Sequence, residues 1–353
     1  MMRLRELGIK IGTRPPGHYN AITDVEGVGV GQAELLEDDL YTGITAVVPY
    51  PADVKKRQLF VGRWALDGGD GMTGLGVAED LGTFSTPIVL APAAAVGKIY
   101  DGLIQYGLGR DPGLTTVAGW PPLVVGIDDS GWNPPARNYA RLGEAELFRA
   151  LQVQQNGPVK EGNAGVGCGL SAFGFKAGMG TASRMLGTGY TLGALVAANA
   201  GALEGLCVDR YPVGARLQSQ TAKPTGPQSF AAVLATDAPL VPRQLDRLSG
   251  RAVPGLSRVG LLDSGTHEGL VLAFSTTGIV QQKGEDEVVE KLRMEDEAIL
   301  HEVFAAAGEA CEEAVLNALL GAVSVEKSGR SLGRLPVDDW VEDVRRYQRE
   351  KNQ

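Results

Sequence analysis

Ser229 is the residue with the most chemistry open to it. It follows the turn-like run Thr225, Gly226, Pro227 and opens the apolar stretch SFAAVLAT. In one reading it is the first residue of a buried strand and nothing more. In the other it is a nucleophile. The segment ahead of it, RLQSQTAKPTGPQ (216–228), is polar, short of apolar residues and carries two prolines, the composition of an exposed linker. A cut between Gln228 and Ser229 would leave one residue with both a hydroxyl and a free α-amine. Such an amine titrates near about 8, close enough to neutrality to take the proton from its own hydroxyl and activate a weak nucleophile. The linker would offer the bond, and the strand would hold the serine rigid.

The elements that must position this serine are legible in outline. The segments 27–35, 43–50, 86–92 and 121–129 read as strands, and 95–108 and 143–155 have helical spacing. The glycine-rich run 162–184 is expected to form a pair of strands packed against another sheet. Strands at 189–199 and 204–214 flank a turn at Asn199–Gly201. After Ser229–Thr236 come a helix over 239–252, a second helical stretch over 254–262 and a strand over 269–276. A long amphipathic helix over 294–323 and a charged helix near the C-terminus follow. Strands and helices occur in runs as well as in alternation, which predicts stacked layers of sheet and helix instead of a doubly wound sheet.

Composition narrows the function classes. The net charge is −9 and no basic cluster occurs, so nucleic acid and anionic membranes are not expected partners. Cys168, Cys207 and Cys311 are far apart and lack CxxC spacing. Neither a disulfide framework nor a zinc site is expected, and a reducing cytoplasm fits. The opening MMRLRELGIKIG has no apolar core of a secretory leader, and the nearest approach to a membrane span, 191–208, is interrupted by glycines, Asn199 and Glu204.

The segments RLRELGIKIGTRPPGHYNAITDVEGVGVG, TGITAVVP, MTGL, GNAGVGCGL with FKAGMGTASR, SFAAVLATDAPLVPRQLDRL and CEEAVLNALL follow one another in this order. From Leu4 to Asp339 the chain thereby resembles the L-aminopeptidase/D-esterase family, peptidase family S58. That family includes the β-peptidyl aminopeptidases, with the nylon-oligomer hydrolases as more distant relatives. The resemblance implies an α/β (α+β) fold of stacked αββα layers, like that of the self-processing N-terminal-nucleophile hydrolases. It implies one domain, 1–353, that cuts itself into chains 1–228 and 229–353, which stay associated. The implied chemistry is aminopeptidase or amidase action on small peptides, amides or esters, with no metal or other cofactor, in a homo-oligomer, by resemblance a tetramer.

The same resemblance assigns residues. Ser229, eight residues before Asp237, stands at the family's nucleophile. Asn199 matches the asparagine that stabilises the oxyanion; read from the residues alone, it is equally a turn asparagine ahead of Gly201. The family places a hydroxyl or acid, one residue, then an acid just before the strand at 269–276. An ungapped alignment puts His267 and Gly269 there. A slip of one residue puts Thr266 and Glu268 there, which supplies an anion beside the ammonium. His267 as a base in a Ser229/His267/acid arrangement is the alternative, and solvated turn residues are another. Lys176 matches a lysine of the nylon hydrolases; a surface residue or carboxylate partner is the plainer reading. Asp129, aligned with a family tyrosine, and Asp70, beside a lost glutamate at Gly71, are candidates to bind a substrate's ammonium, though Asp129 equally suits a cap. Two further departures stand out: Gln228 replaces the usual Gly or Asn before the nucleophile, and APAAAVG (91–97) replaces polar residues expected to line the site. They motivate an alternative, an uncut relative that binds a small molecule or partner. Acyl transfer, as in ornithine acetyltransferases, is a third reading that the motifs match less well.

Overall fold

A computed structural model describes residues 2–37, 39–49, 57–67, 72–114, 121–217, 226, 228–281, 297–327 and 329–351. The strands are β1 (Val28–Glu37), β2 (Leu40–Pro49), β3 (Arg57–Leu66), β4 (Met72–Thr73), β5 (Thr83–Phe84), β6 (Ile88–Pro92), β7 (Leu123–Ile127), β8 (Ser171–Ala172), β9 (Phe175–Lys176), β10 (Met179–Met185), β11 (Thr191–Asn199), β12 (Ser229–Thr236), β13 (Glu268–Gln281), β14 (Val325–Lys327) and β15 (Arg330–Leu332). The helices are α1 (Leu75–Leu81), α2 (Val96–Arg110), α3 (Pro135–Arg141), α4 (Glu144–Gln152), α5 (Val213–Arg216), α6 (Pro242–Val259), α7 (Glu297–Leu320) and α8 (Val341–Lys351).

Two mixed sheets carry the architecture. One has the order β1-β2-β6-β7-β4 and the other β10-β11-β12-β13-β3-β5. Their inner faces meet through Val30, Val47, Leu90 and Val125 from the first and Leu195, Val233, Leu272 and Phe274 from the second. Helices α6 and α7 cover the outer face of the second sheet, and α2 and α4 cover that of the first. The expected αββα stack is therefore what forms.

The central strands of the second sheet are buried on both faces, and their side chains split by parity, as a two-residue repeat demands. In β12, Ala231, Val233 and Ala235 enter the inter-sheet core, while Phe230, Ala232 and Leu234 face the helices. Leu195 and Ala197 of β11 and Leu270, Leu272 and Phe274 of β13 also point between the sheets. Small residues let the helices lie close: a Cβ at Gly180 would sit 1.9 Å from the Ala314 carbonyl oxygen of α7, and one at Gly62 would sit 2.1 Å from the Asp246 amide of α6.

Three expectations about elements change. Residues 204–214 are not a strand; they hold the end of a short 3-10 turn, one isolated bridge, Val208 to Tyr211, and the start of α5. The stretches 239–252 and 254–262 merge into the single helix α6 with Pro254 inside it. Burial of Leu245, Leu248, Ala252, Leu256 and Val259 along one face outweighs the hydrogen bond that Pro254 removes. The glycine-rich run folds as a 3-10 turn over Gly165–Gly169, the small β8–β9 hairpin and then β10, so it becomes a full strand only from Met179 on. Most of the linker 216–228 lies outside the described residues.

Buried charge ties the N-terminal segment to this frame. The fully buried Arg184 of β10 meets Glu313 of α7 at 2.8 Å and Glu309 at 3.1 Å, and it donates to the Ile11 carbonyl at 2.8 Å. Arg5 holds the other side of Glu313 at 2.8 Å. Burial raises the Glu313 carboxyl, but Arg184 and Arg5 outweigh it and hold the group below its ordinary range.

Candidate active site

Four strand ends converge at one end of the inter-sheet space. Asn199 is the last residue of β11, Ser229 the first of β12 and Glu268 the first of β13, while Asp128 directly follows β7 of the opposite sheet. The registers place Asn199 opposite Ser229 in an antiparallel pair and Ser229 opposite Glu268 in a parallel pair. All three side chains share parity with the inter-sheet residues of their strands, so they face the first sheet and not the helices.

The hydroxyl of Ser229 is buried, at 4% exposure for the residue. Its Oγ accepts the Asp128 amide at 3.3 Å and the Asn199 amide nitrogen Nδ2 at 3.5 Å. Asn199 is itself held at both ends: Nδ2 donates to the Asp128 carbonyl at 2.7 Å, and Oδ1 accepts the Ser171 amide at 3.1 Å. It therefore cannot rotate without stranding two backbone groups. Donors aimed at a hydroxyl oxygen favour its anion, and the same donors suit an oxygen that gains charge during acyl transfer. Asp128 was not among the candidates read from sequence; its contacts to Ser229 and Asn199 are made by the main chain, which residue type does not reveal.

The other candidates separate. Thr266 is buried, but its hydroxyl closes its own turn: Oγ1 donates to the Leu261 carbonyl at 3.2 Å and accepts the Asp263 amide at 3.1 Å. The His267 side chain is exposed, and among the described residues its ring makes no hydrogen bond to Ser229. Glu268 is half-buried beside Ser229. Lys176 is neither a surface residue nor paired with a carboxylate. It is fully buried, and its Nζ donates to the carbonyls of Gly167, Leu170 and Ala177 at 2.8, 2.9 and 2.6 Å. Burial lowers its pKa to about 7, opposed by three carbonyl acceptors that favour the ammonium. It braces the loop that brings Gly169 to the site and touches no reacting atom.

Asp129 lies beside the cleft but is turned into a buried network. One oxygen accepts Asn133 at 2.7 Å and Thr42 at 3.2 Å; the other accepts Asn138 at 2.6 Å. Burial raises this carboxyl to about 6 against those three donors. It holds the 129–138 turn instead of waiting for a substrate's ammonium. Its neighbour Asp128 also lines the cleft and spends one carboxylate oxygen on the Ser130 amide at 2.8 Å. Asp70 lies outside the described residues. Ala91 and Pro92 end β6 alongside Gly126 and Ile127, so the apolar segment runs next to the chain that carries Asp128.

The cleft itself is lined by Asp128, Trp132, Ser171, Phe173, Asn199 and Gly201, and Gln228 sits in its wall. Its free volume, about 10 Å³, is room for about one water molecule. Among the described residues no group of three or more His, Cys, Asp or Glu is gathered as a metal site, and no helix is long and apolar enough to cross a membrane.

Comparison with known proteins agrees with this frame. The family model for peptidase family S58 matches residues 20–332. The β-peptidyl aminopeptidase BapA of Sphingosinicella microcystinivorans is 33% identical, over 98% of this chain and 93% of that one. A β-aminopeptidase structure from Burkholderia sp. superposes with a TM-score of 0.87 at 35% identity, covering 98% of this chain and 99% of the other. The L-aminopeptidase D-Ala-esterase/amidase of Ochrobactrum anthropi, described as a variant of the Ntn hydrolase fold, gives a TM-score of 0.87 at 31% identity with the same coverage. These matches favour an enzyme over the binding-protein alternative. The chain belongs to peptidase family S58, a hydrolase of the aminopeptidase and amidase kind.

Proposed function

We propose that this enzyme matures by cutting its own Gln228–Ser229 bond and then works as an N-terminal-nucleophile aminopeptidase or amidase on small peptides, amides or esters. The observation that carries the reading is the placement of Ser229. It opens a rigid central strand, its Oγ faces the Asp128 amide and Asn199 Nδ2, and Glu268 is its strand partner. In the uncut chain Gln228 fills the cleft wall, so a substrate carbonyl reaches Ser229 only once Gln228 has left. The freed α-amine then takes the hydroxyl proton, Oγ attacks the substrate carbonyl, and the tetrahedral oxyanion is held by Asn199 with the Asp128 amide. Collapse expels the leaving amine and leaves an acyl-enzyme, which water hydrolyses. Glu268 steadies the ammonium form of the Ser229 amine, and Thr266 acts only through the turn that starts β13. Asp128 is the carboxylate best placed to meet the substrate's own ammonium. A cytoplasmic homo-oligomer is part of the proposal.

Denaturing intact-mass spectrometry of fresh protein tests it. The expected result is two masses that sum to the precursor plus one water, the smaller beginning at Ser229, with Ser229→Ala remaining whole. One full-length mass, unchanged on long incubation, refutes the self-processing reading.

A further inference from the structure

We infer that the uncut chain carries a dedicated self-cleavage clamp: the backbone amides of His267 and Glu268 polarise the Gln228 carbonyl, and the Gln228 side chain latches that carbonyl in place on Gly201. This rests on the self-processing reading above, and it assigns groups that act before any substrate binds.

The Gln228 carbonyl oxygen accepts two main-chain donors, His267 N–H at 2.9 Å and Glu268 N–H at 3.4 Å. A carbonyl in a parallel ladder ordinarily takes one amide from its neighbour. Here two consecutive amides point at one oxygen, and that oxygen belongs to the bond to be cut. Paired backbone amides are what a tetrahedral oxyanion requires. On the other side of the same bond, Ser229 Oγ faces the Asp128 amide and Asn199 Nδ2. The attacking oxygen and the oxygen that gains charge thus have separate pairs of donors. Self-cleavage and later turnover use different holes.

The latch is Gln228 Oε1, which accepts the Gly201 amide at 3.0 Å. Gly201 has φ +94°, and a Cβ there would lie 2.4 Å from Phe173 Cε1, so the donor comes from a position that suits glycine. Gln228 is tied at its backbone to the start of β13 and at its side chain to the turn after β11. A flexible residue at this position would leave the carbonyl free to rotate. Gln228 fixes it by a hydrogen bond where a smaller residue would rely on backbone conformation. The exposed His267 side chain is not required; its N–H is.

The step balances without a redox partner. Ser229 Oγ bonds to the Gln228 carbonyl carbon, and the negative charge settles on the clamped oxygen. The hydroxyl proton passes to the Ser229 nitrogen, and the C–N bond breaks. An ester between Gln228 and Ser229 Oγ remains, with a free α-amine. Water then cleaves the ester C–O bond, giving the Gln228 carboxylate and restoring the Ser229 hydroxyl.

The test is the time course of full-length chain, followed by intact mass, for wild type, Gln228→Glu, Gln228→Ala and His267→Pro. Glutamate keeps an acceptor for the Gly201 amide, so Gln228→Glu is expected within about threefold of wild type. Gln228→Ala loses one hydrogen bond that orients the reacting carbonyl and is expected to cut about tenfold more slowly. His267→Pro lacks the shorter clamp donor and is expected to slow by about 10²-fold or more. Thermal unfolding identifies a His267→Pro chain that fails to fold, in which case the Gln228 pair decides. Gln228→Ala cutting at the wild-type rate, or Gln228→Glu as slow as Gln228→Ala, overturns the inference while leaving Ser229 as the nucleophile. A wild-type chain that never cuts overturns both.

Discussion

Replacing Asn199 separates a catalytic donor from a turn residue. The side chain is 6% exposed and makes two well-formed bonds to main-chain groups, 2.7 Å to the Asp128 carbonyl and 3.1 Å to the Ser171 amide. Asn199→Ala strands both groups, which costs about 2–4 kcal/mol of stability. It also removes a donor to the developing oxyanion, worth about 10²–10³ in rate. Asn199→Asp keeps the Ser171 bond and loses both the bond to the Asp128 carbonyl and the donor to Ser229. Its carboxylate still accepts the Ser171 amide, but it has no N–H to offer Ser229. The rate loss should therefore equal or exceed that of Asn199→Ala, with the Ser171 bond intact. The assay pairs intact mass, for self-cleavage, with hydrolysis of an aminoacyl anilide by the cleaved protein, both scaled to the folded fraction at that temperature. Folded Asn199→Asp that cuts itself and turns over within about fivefold of wild type would show that Asn199 only holds its turn.

Two further substitutions probe the frame around the site. Lys176→Met matches the stem but removes the donor to the Ala177 carbonyl and leaves the Gly167 and Leu170 carbonyls with only long amide bonds of 3.3 Å, and should cost about 1–3 kcal/mol in a denaturant melt. Burial lowers Lys176 to about 7, below its unfolded value, so the native state binds fewer protons between pH 7 and the ordinary lysine range. Wild-type stability should rise with pH through that window, and Lys176→Met should lose this component. A wild-type slope that the variant retains would assign it to another group. Arg184→Met removes one of the two arginines that hold Glu313, leaving Arg5 and Asn20 on it, and should cost about 2–3 kcal/mol in the same melt. Because Glu313 is held below its ordinary range, its contribution is present above the unfolded carboxyl pKa and lost as the solution is acidified. Arg184→Met should weaken that acid dependence, and an unchanged acid limb would argue against the assignment.

How much of this was legible beforehand follows from what kind of group does the work. Ser229 stood out because composition changes sharply there, from a polar linker to an apolar strand, and motif order pointed to the layered fold and the family. The two helical stretches expected on either side of Pro254 join into α6 because local propensity yields to a buried face. Lys176 could not be placed, since a lysine among glycines gives no sign that three carbonyls will enclose it. Asp128 and Asp129 are neighbours of one type, and the turn alone decides which of them joins the buried asparagines. The choice between Thr266/Glu268 and His267/Gly269 depends on register. Sequence fixes parity only within a strand, whereas pairing Ser229 with Glu268 and Asn199 decides which side chains share a face. Main-chain donors are the extreme case: every residue but proline has an N–H, so the roles proposed for Asp128, Gly201, His267 and Glu268 are written in where the chain passes, not in what it is made of. The sequence by itself determined the layers and the family and singled out Ser229 as the candidate nucleophile; tertiary structure decided which amides surround the Gln228–Ser229 bond, because direction and distance exist only after the strands have paired.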